Sequence, residues 1–477
     1  MKKKIFLVIA VCLLLVSAVV FVTACNKERD QTSLSNQKAT GGEPSGDGSD
    51  GDALLGGEGN QSTSYALTLL VAGDGGTVSG GGSYLNGESV TLTATPSAGY
   101  NCAGWYDGTT KLENSFGRTY TFTMPAEEKT LVAKFERVYH RVDATGAESA
   151  TGEYILFGSY PQTLVSDETL ALSLTAEAGT LPTQSNKAGW TSYEYYIEGI
   201  NAVDYMWYVD LAHGGQTYRG VYFTSYRPFN TYWESNADYS WQDDNGYTTG
   251  NVYWFSYEPI KWRILSEKNG VALILCDLAI DGREFCQNTS SVNGREFEHN
   301  GGTGLPNNYD LCDIRKWLND TFYRTAFDEL QRDVILLTTV ENGERTTSTD
   351  KAAYMFLANY DYHSGEYLFP CPDTNDYVFL LSEQEVTRVA YGFDEDHNNN
   401  DSARQKTPTD YAQAQGVMRR TEDRPDLKDH CSWYLRSAYG SGCYALCCAE
   451  GGSSWSSTYV CETRIGIGPA LRIWLAG

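Results

Sequence analysis

The chain carries little positive charge for its size. Its 477 residues include 36 Lys and Arg side chains against 61 Asp and Glu, which gives a net charge of −25 at neutral pH. A surface with this excess of carboxylates repels phosphate backbones. The composition therefore argues against nucleic acid as a partner.

The common signatures of catalysis are also missing. The sequence has no Gly-x-Ser-x-Gly elbow, no His-Glu-x-x-His motif and no phosphate-binding loop. It has only six histidines, all in polar or turn-like surroundings, and no pair stands out among the 61 carboxylates. We predict no catalytic residue and no cofactor, although a glycosidase carboxylate pair stays open.

Long apolar runs are absent except at residues 5–22, which follow three lysines. This order, ending in small residues before a cysteine, is typical of a secretory signal. Residues 22–25, Val-Thr-Ala-Cys, resemble the lipobox of bacterial lipoproteins. The resemblance implies that residues 1–25 are a signal peptide, and that a lipidated Cys25 anchors the chain to the cell membrane on its extracytoplasmic side. An uncleaved transmembrane anchor is the alternative, because 18 apolar residues can just span a bilayer.

Residues 26–64 consist mainly of Gly, Ser, Asp, Asn, Glu and Gln. Such a segment cannot bury enough apolar surface to offset its chain entropy. We predict a disordered linker, which as a flexible coil would reach on the order of 35 Å.

Residues 65–137 alternate between apolar and polar side chains and are divided by glycine-rich turns, a pattern typical of short strands. Asn86-Gly87 predicts a type I′ turn, and Trp105 is expected to be a buried core anchor. The segment resembles the divergent internalin-B-type bacterial repeat at residues 76–78, 92–96, 99–100, 104–105, 120–125 and 133–135. The resemblance implies an all-β spacer or adhesive module without catalysis.

Residues 138–477 mix strand and helix signals. Two short apolar runs flanking Asn269-Gly270 predict a hairpin. Apolar residues at helical spacing predict helices over 313–319 and 325–333. Residues 378–381 predict a buried strand, and Ser382 with Glu385 predicts a capping box. Residues 167–252, rich in Tyr, Trp, Gly and Asn, are interpreted as a loop-like insertion.

This region resembles the uncharacterised bacterial family DUF6273 at residues 157–162, 259–265, 314–319, 379–382, 433–437 and 466–471. The family has no established activity. Its closing pattern resembles the C-type-lectin-like fold, which formylglycine-generating enzymes share with variable ligand-binding proteins. The expected fold class is α+β and β-rich, with a small all-β module followed by a large, loop-rich, lectin-like domain. Gly468 stands where the family usually has Arg, which puts any ion pair or ligand contact of that Arg in doubt.

Ten cysteines follow the signal segment, Cys102 in the small module and nine beyond it. Outside the cytoplasm such a density predicts two to four disulfides. We assign no pairs, because nine is odd and vicinal Cys447 and Cys448 can hardly bond each other. The alternative, implied by the resemblance to formylglycine-generating enzymes, is a metal or redox site at Cys443 and Cys448.

One stretch is rich in hard oxygen ligands. Asp394, Asp396, Asn398 and Asn400 alternate as in calcium loops. The sixth position lacks the usual Gly and the twelfth lacks the usual Glu. A solvated polar loop is the favoured interpretation, with calcium as the weaker one.

Aromatic residues are plentiful, with 34 Tyr and 11 Trp. Tyr and Trp suit ligand-binding surfaces because each has an apolar ring and a polar tip, but they also fill irregular cores. The leading hypothesis is extracellular binding or adhesion to a glycan or protein through residues 193–254. The rivals are an enzyme of the formylglycine-generating type and a purely structural envelope protein.

Overall fold

The structure is a computed structural model. The segment with Cys25 and almost all of the predicted linker lie outside the residues that it describes, and no described helix is long and apolar enough to cross a membrane. The described residues are 63–197, 200–226, 241–286, 297–299, 302–304, 306–342, 359–361, 366–368, 372–419, 425, 427–439, 444–454 and 456–475.

Eight strands form the first module. They are β1 (Ser64–Ala72), β2 (Gly76–Ser79), β3 (Gly82–Leu85), β4 (Ser89–Pro96), β5 (Tyr100–Asp107), β6 (Thr110–Lys111), β7 (Thr119–Thr123) and β8 (Lys129–Arg137). One sheet has the order β3-β1-β8-β5-β6 and the other β2-β4-β7. Every second side chain of β4 is buried, and Trp105 has no exposed surface. The all-β prediction and the core role of Trp105 are confirmed.

Further strands follow in the described part of the chain. They are β9 (Tyr139–Val142), β10 (Tyr154–Leu164), β11 (Thr191–Ile197), β12 (Ile200–His213), β13 (Gln216–Phe223), β14 (Val252–Lys268), β15 (Val271–Cys276), β16 (Asp281–Gly282), β17 (Phe297–His299), β18 (Gly302–Gly304), β19 (Thr338–Val340), β20 (Asn359–Asp361), β21 (Glu366–Leu368), β22 (Thr374–Asp376), β23 (Val378–Phe379), β24 (Trp433–Tyr439), β25 (Tyr444–Cys448), β26 (Ser456–Tyr459), β27 (Gly466–Ile467) and β28 (Ala470–Trp474).

These strands build two main sheets. The central one has the order β11-β12-β13-β14-β15-β28-β23, and β10 pairs with both β14 and β9. The second has the order β16-β27-β24-β25-β26, and three strand pairs, β17-β18, β19-β22 and β20-β21, lie apart. Side chains of both sheets meet in one core, which includes Trp262 and Trp433. The predicted β-rich α+β class is confirmed.

The helices are short. They are α1 (Glu168–Ala178), α2 (Trp241–Asp244), α3 (Asp313–Trp317), α4 (Tyr323–Ala326), α5 (Glu329–Val334), α6 (Glu383–Val386) and α7 (Asp410–Ala414), with a π-helical turn at Leu318–Phe322 and 3₁₀ turns at Val389–Tyr391 and Ser402–Arg404. The predicted capping box of Ser382 and Glu385 at α6 is confirmed.

The loop-like insertion predicted over residues 167–252 is wrong in its described part. This segment forms α1 and then β11, β12 and β13, which extend the central sheet from β14. Trp207 and Trp254 are almost fully buried. The aromatic residues obscured the strand pattern because many of them pack into the core rather than onto a surface.

The second predicted helix, over residues 325–333, is also wrong. The chain is helical through α4, becomes extended at Phe327 (φ −128°, ψ 131°) and restarts at α5 behind an Asp328 capping box. The Phe327 ring packs 5.0 Å from Phe157 and 6.3 Å from Trp262, measured between ring centroids. Burial of this one ring therefore overrides the local helical pattern.

The two Asn-Gly turns differ. Asn269 and Gly270 have φ values of 54° and 73° and join antiparallel β14 and β15, so the predicted hairpin is confirmed. At the earlier turn Gly87 has a φ of 82°, but Asn86 does not have positive φ. The strands around it, β3 and β4, belong to different sheets. The type I′ prediction there is wrong, because the turn changes sheets instead of closing a hairpin.

The β module contacts the larger region through Asn101, which is 1% exposed. Its Nδ2 donates to the Leu330 carbonyl oxygen at 3.1 Å and to the Asp333 carboxylate at 2.9 Å, both in α5. The described residues from 63 onward belong to one compact unit. The module is therefore attached by a specific polar contact as well as by the chain.

Candidate functional site

A cleft of about 790 Å³ lies where β10 and β14 meet the ends of α4 and α5. A volume of this size is within the usual range for ligand pockets. Residues from four parts of the chain line it. They include Arg137, His140, Glu148, Phe157, Ser159, Asp210, Thr217, Tyr257, Thr325, Asp328 and Gln331.

One rim of the cleft carries an exposed ionic cluster. The Glu148 carboxylate lies 2.8 Å from His140 Nδ1 and 2.7 Å from an Arg137 Nη atom. The hydrogen bond with His140, assisted by the Arg137 charge, lowers the pKa of Glu148. Glu148 is therefore a negatively charged acceptor at neutral pH.

Another wall of the cleft contains Asp210 and Tyr257, and both are bound by Arg219. Its Nε and one Nη donate to the two carboxylate oxygens of Asp210, each at 2.8 Å, and the same Nη donates to the Tyr257 hydroxyl at 2.8 Å. The Arg219 side chain is only 6% exposed, whereas that of Asp210 is 36% exposed. The bidentate pair fixes the Asp210 carboxylate at the cleft surface.

Tyrosine rings surround the Arg219 guanidinium. Its central carbon lies 4.5 Å from the ring centroid of Tyr208 and 5.6 to 5.8 Å from those of Tyr257, Tyr411 and Tyr160. Burial raises the pKa of Tyr257 far above neutrality. The Tyr257 hydroxyl therefore stays neutral and lies beside the Asp210 carboxylate, which Arg219 holds in place. Together these two groups can form hydrogen bonds with the hydroxyl groups of a ligand, and no proton transfer is needed.

The pairing of Asp210 with Arg219 was not predicted from the sequence. They are register partners across the β12–β13 hairpin, which turns at Gly214 and Gly215. The available signal was the Gly214-Gly215 pair, which predicts a hairpin turn. Asp210 precedes this pair by as many residues as Arg219 follows it, so a hairpin there places the two side chains opposite each other. Ligand contacts were proposed for the Tyr and Trp side chains of residues 193–254, but among the described residues of this range the cleft is lined by Asp210 and Thr217 and by no aromatic side chain.

The proposed calcium loop is organised around Arg404, which has no exposed surface. Its guanidinium donates to five backbone carbonyl oxygens at 2.6 to 3.1 Å, and three of them lie within residues 394–399. The acceptors belong to Val386, Asp394, Asp396, Asn399 and Gly452. A cation of the protein itself thus occupies the centre of this loop.

The acidic side chains of the loop bind its own backbone. One carboxylate oxygen of Asp394 accepts from the Asp396 amide, and one of Asp396 accepts from the Asn398 amide, both at 2.8 Å. Asn400 is exposed. Within the described residues, no group of three or more His, Cys, Asp and Glu side chains is placed to hold a metal ion. The carboxylates of Asp394 and Asp396 thus serve the backbone of their own loop, and calcium binding there stays a prediction.

Five cysteines have free, buried thiols and take no part in the expected disulfides. They are Cys102, Cys276, Cys431, Cys447 and Cys448. Burial, reinforced by neighbouring Cys447, raises the pKa of Cys448 well above its usual range. A protonated thiol is a poor metal ligand. Cys443, the other residue of the suggested metal site, lies outside the described residues.

Gly468 makes room for Lys406. A Cβ atom at Gly468 would lie 2.5 Å from Lys406 Cε. The buried Lys406 ammonium contacts the Cys276 carbonyl oxygen and lies 4.8 Å from the Trp433 ring centroid. Burial lowers the pKa of Lys406. A basic side chain from another part of the chain therefore lies beside Gly468.

Residues 65–139 match the divergent InlB B-repeat domain, and residues 269–475 match the domain of unknown function DUF6273. The chain carries both domains. No curated protein and no solved structure matches it, so the lectin-like fold stays a prediction. An InlB-type repeat is compatible with a bacterial surface protein.

The DUF6273 match begins at the β14–β15 turn, but β14 and β15 are paired neighbours, so the central sheet extends beyond the matched residues.

Proposed function

We propose that this protein is a lipid-anchored bacterial surface protein that binds a glycan in the cleft. The InlB B-repeat supports the surface location, and the lipobox resemblance at residues 22–25 supports the anchor. Binding is favoured over catalysis because the cleft presents carboxylates held in ion pairs, which serve as fixed acceptors. Glu148 is ionised and Tyr257 neutral at pH 7, so neither is poised for proton transfer.

The observation that carries the proposal is the Arg219-supported wall. Asp210 offers carboxylate oxygens and Tyr257 offers a hydroxyl within one rigid group. Sugar hydroxyls both donate and accept hydrogen bonds, so they complement this pair. A preorganised wall loses little conformational entropy when a ligand binds.

A glycan array with the full chain, followed by calorimetry on the glycans that bind, tests the proposal. We expect Asp210→Asn to weaken binding at least tenfold. Asp320→Asn is the matched control, because Asp320 is also an exposed carboxylate paired with arginine, through Arg324 Nε at 2.8 Å, and it does not line the cleft. It should leave affinity unchanged.

Because Asp210→Asn leaves the buried Arg219 without its anion, its folding must be checked by thermal unfolding. Thr217→Trp provides a second test, since Thr217 is exposed and lines the cleft, and a bulky ring there should block binding. Absence of binding across a broad glycan panel, or equal affinities of the cleft variants and the control, would rule the proposal out.

A further inference from the structure

A second cavity, of about 240 Å³, is lined by three arginines, although the chain as a whole is strongly acidic. Arg388 follows α6, Arg436 lies in β24 and Arg472 lies in β28. Three separate elements of the fold therefore bring guanidinium groups to one small space. The cavity is distinct from the glycan cleft, with which it shares no lining residue.

Arg436 is the buried member of this group, with a side chain that is 3% exposed. One Nη donates to the Leu380 carbonyl oxygen at 2.7 Å and contacts the Glu385 carboxylate, and the other donates to the Glu341 carbonyl oxygen at 3.3 Å. Its Nε is buried without a hydrogen-bond partner among the described residues. A buried donor on a charged group that lacks a partner is costly, and negative charge in the adjacent cavity would stabilise the Arg436 guanidinium electrostatically.

The charges of the cavity do not cancel. Burial would raise the pKa of Glu385, but the Arg436 charge and hydrogen bonds outweigh it, so the pKa of Glu385 is lowered and the group stays ionised. Three arginines against the carboxylates of Glu385 and Glu341 leave one positive charge. Glu341 is exposed, whereas Arg472 is half-buried. The net positive charge is therefore greatest in the interior of the cavity.

We propose that this cavity binds one small monocarboxylate. A planar carboxylate matches the paired donors of a guanidinium, and a single negative charge balances the excess. The volume of about 240 Å³ suits a ligand of organic-acid size. Arg388, whose Nη donates to the Tyr391 hydroxyl at 3.0 Å, is exposed and forms the outer edge of the site.

Saturation-transfer NMR on the full chain with pairs of probes that differ in charge tests this site. The pairs are lactate and lactamide, benzoate and benzamide, and galacturonate and galactose. We expect saturable binding of at least one carboxylate and at least tenfold weaker binding of its neutral partner. Absence of binding by all three carboxylates, or equal binding of acid and neutral partner, overturns the proposal.

Variants locate the binding. Arg472→Gln and Arg388→Gln should each weaken carboxylate binding severalfold. Arg324→Gln, an exposed arginine outside the cavity, is the matched control and should bind like wild type. Asp210→Asn should also leave carboxylate binding unchanged, which separates this site from the glycan cleft. Wild-type affinity in both Arg472→Gln and Arg388→Gln would contradict the assignment, as would a loss confined to Asp210→Asn.

Discussion

Replacing Arg404 by Met is expected to open the acidic loop at residues 394–400. The guanidinium is the shared hydrogen-bond donor for five carbonyl oxygens, which belong to residues 386, 394, 396, 399 and 452. Met fills similar space along the side-chain stem but donates nothing. The substitution therefore removes the donors of all five acceptors at once.

The expected size of the effect follows from those contacts. A buried polar group that loses its partner costs about 1–3 kcal/mol, so five independent losses would exceed the whole stability of many proteins. Water can enter the opened loop and bind some of these carbonyl oxygens, so the total free-energy cost is smaller than this sum. We expect Arg404→Met to cost about 4 kcal/mol, the usual scale for breaking a buried charged network. Lys has three donors and leaves at least two carbonyls unpaired, so Arg404→Lys should cost about 2 kcal/mol.

Urea unfolding of wild type and both variants measures these costs, and hydrogen exchange at the Asp396 and Asn398 amides reports on the loop itself. The control is Arg324→Met, because the Arg324 side chain is 76% exposed and pairs with the surface carboxylate of Asp320. It should change stability by less than about 0.5 kcal/mol. A Met variant as stable as this control, or a Lys variant less stable than the Met variant, would show that Arg404 does not organise the loop.

Three further predictions concern other parts of the chain. Cys25→Ala should abolish incorporation of labelled palmitate and alter membrane fractionation; unchanged labelling would refute the lipobox assignment. Gly468→Ala should destabilise the protein by about 1–3 kcal/mol in thermal unfolding, since its Cβ would collide with Lys406; wild-type stability would refute that packing. Burial raises the pKa of Glu383 to about 7 against the opposing Arg404 charge, so the native state binds this proton more tightly than the unfolded state. Stability linked to Glu383 should therefore fall as pH rises from about 4.5 to 7. Urea unfolding at pH 5 and pH 8 gives the free energy of unfolding of Glu383→Gln relative to wild type. This relative stability should be up to about 3 kcal/mol higher at pH 8 than at pH 5. An equal difference at both pH values would contradict this.

Local signals were reliable where a short segment determines its own conformation. The capping box at Ser382 and the hairpin at Asn269-Gly270 were predictable, because each depends on hydrogen bonds or φ values within a few residues. The second Asn-Gly pair, Asn86-Gly87, shows the limit. Its strands pair with different partners, and no local pattern records which partner a strand will choose.

The candidate sites were harder to predict than the elements. The Asp210–Arg219 pair was within reach, since one hairpin places the two residues opposite each other. The arginine cavity was not, because Arg388, Arg436 and Arg472 come from three elements far apart in sequence. Their approach depends on the pairing of the central sheet and on the contact between β24 and α6.

The amino-acid sequence by itself determined the alternating strands of the repeat module, the DUF6273 motifs and the acidic character of the chain, because these depend on residue type and near-neighbour spacing. Only the tertiary structure decided that the aromatic-rich segment extends a buried sheet, that Arg404 occupies the acidic loop, and that five thiols stay unpaired. The physical reason is that burial and charge pairing are properties of distant segments brought together, and their free energies exceed the local preferences that a sequence pattern expresses.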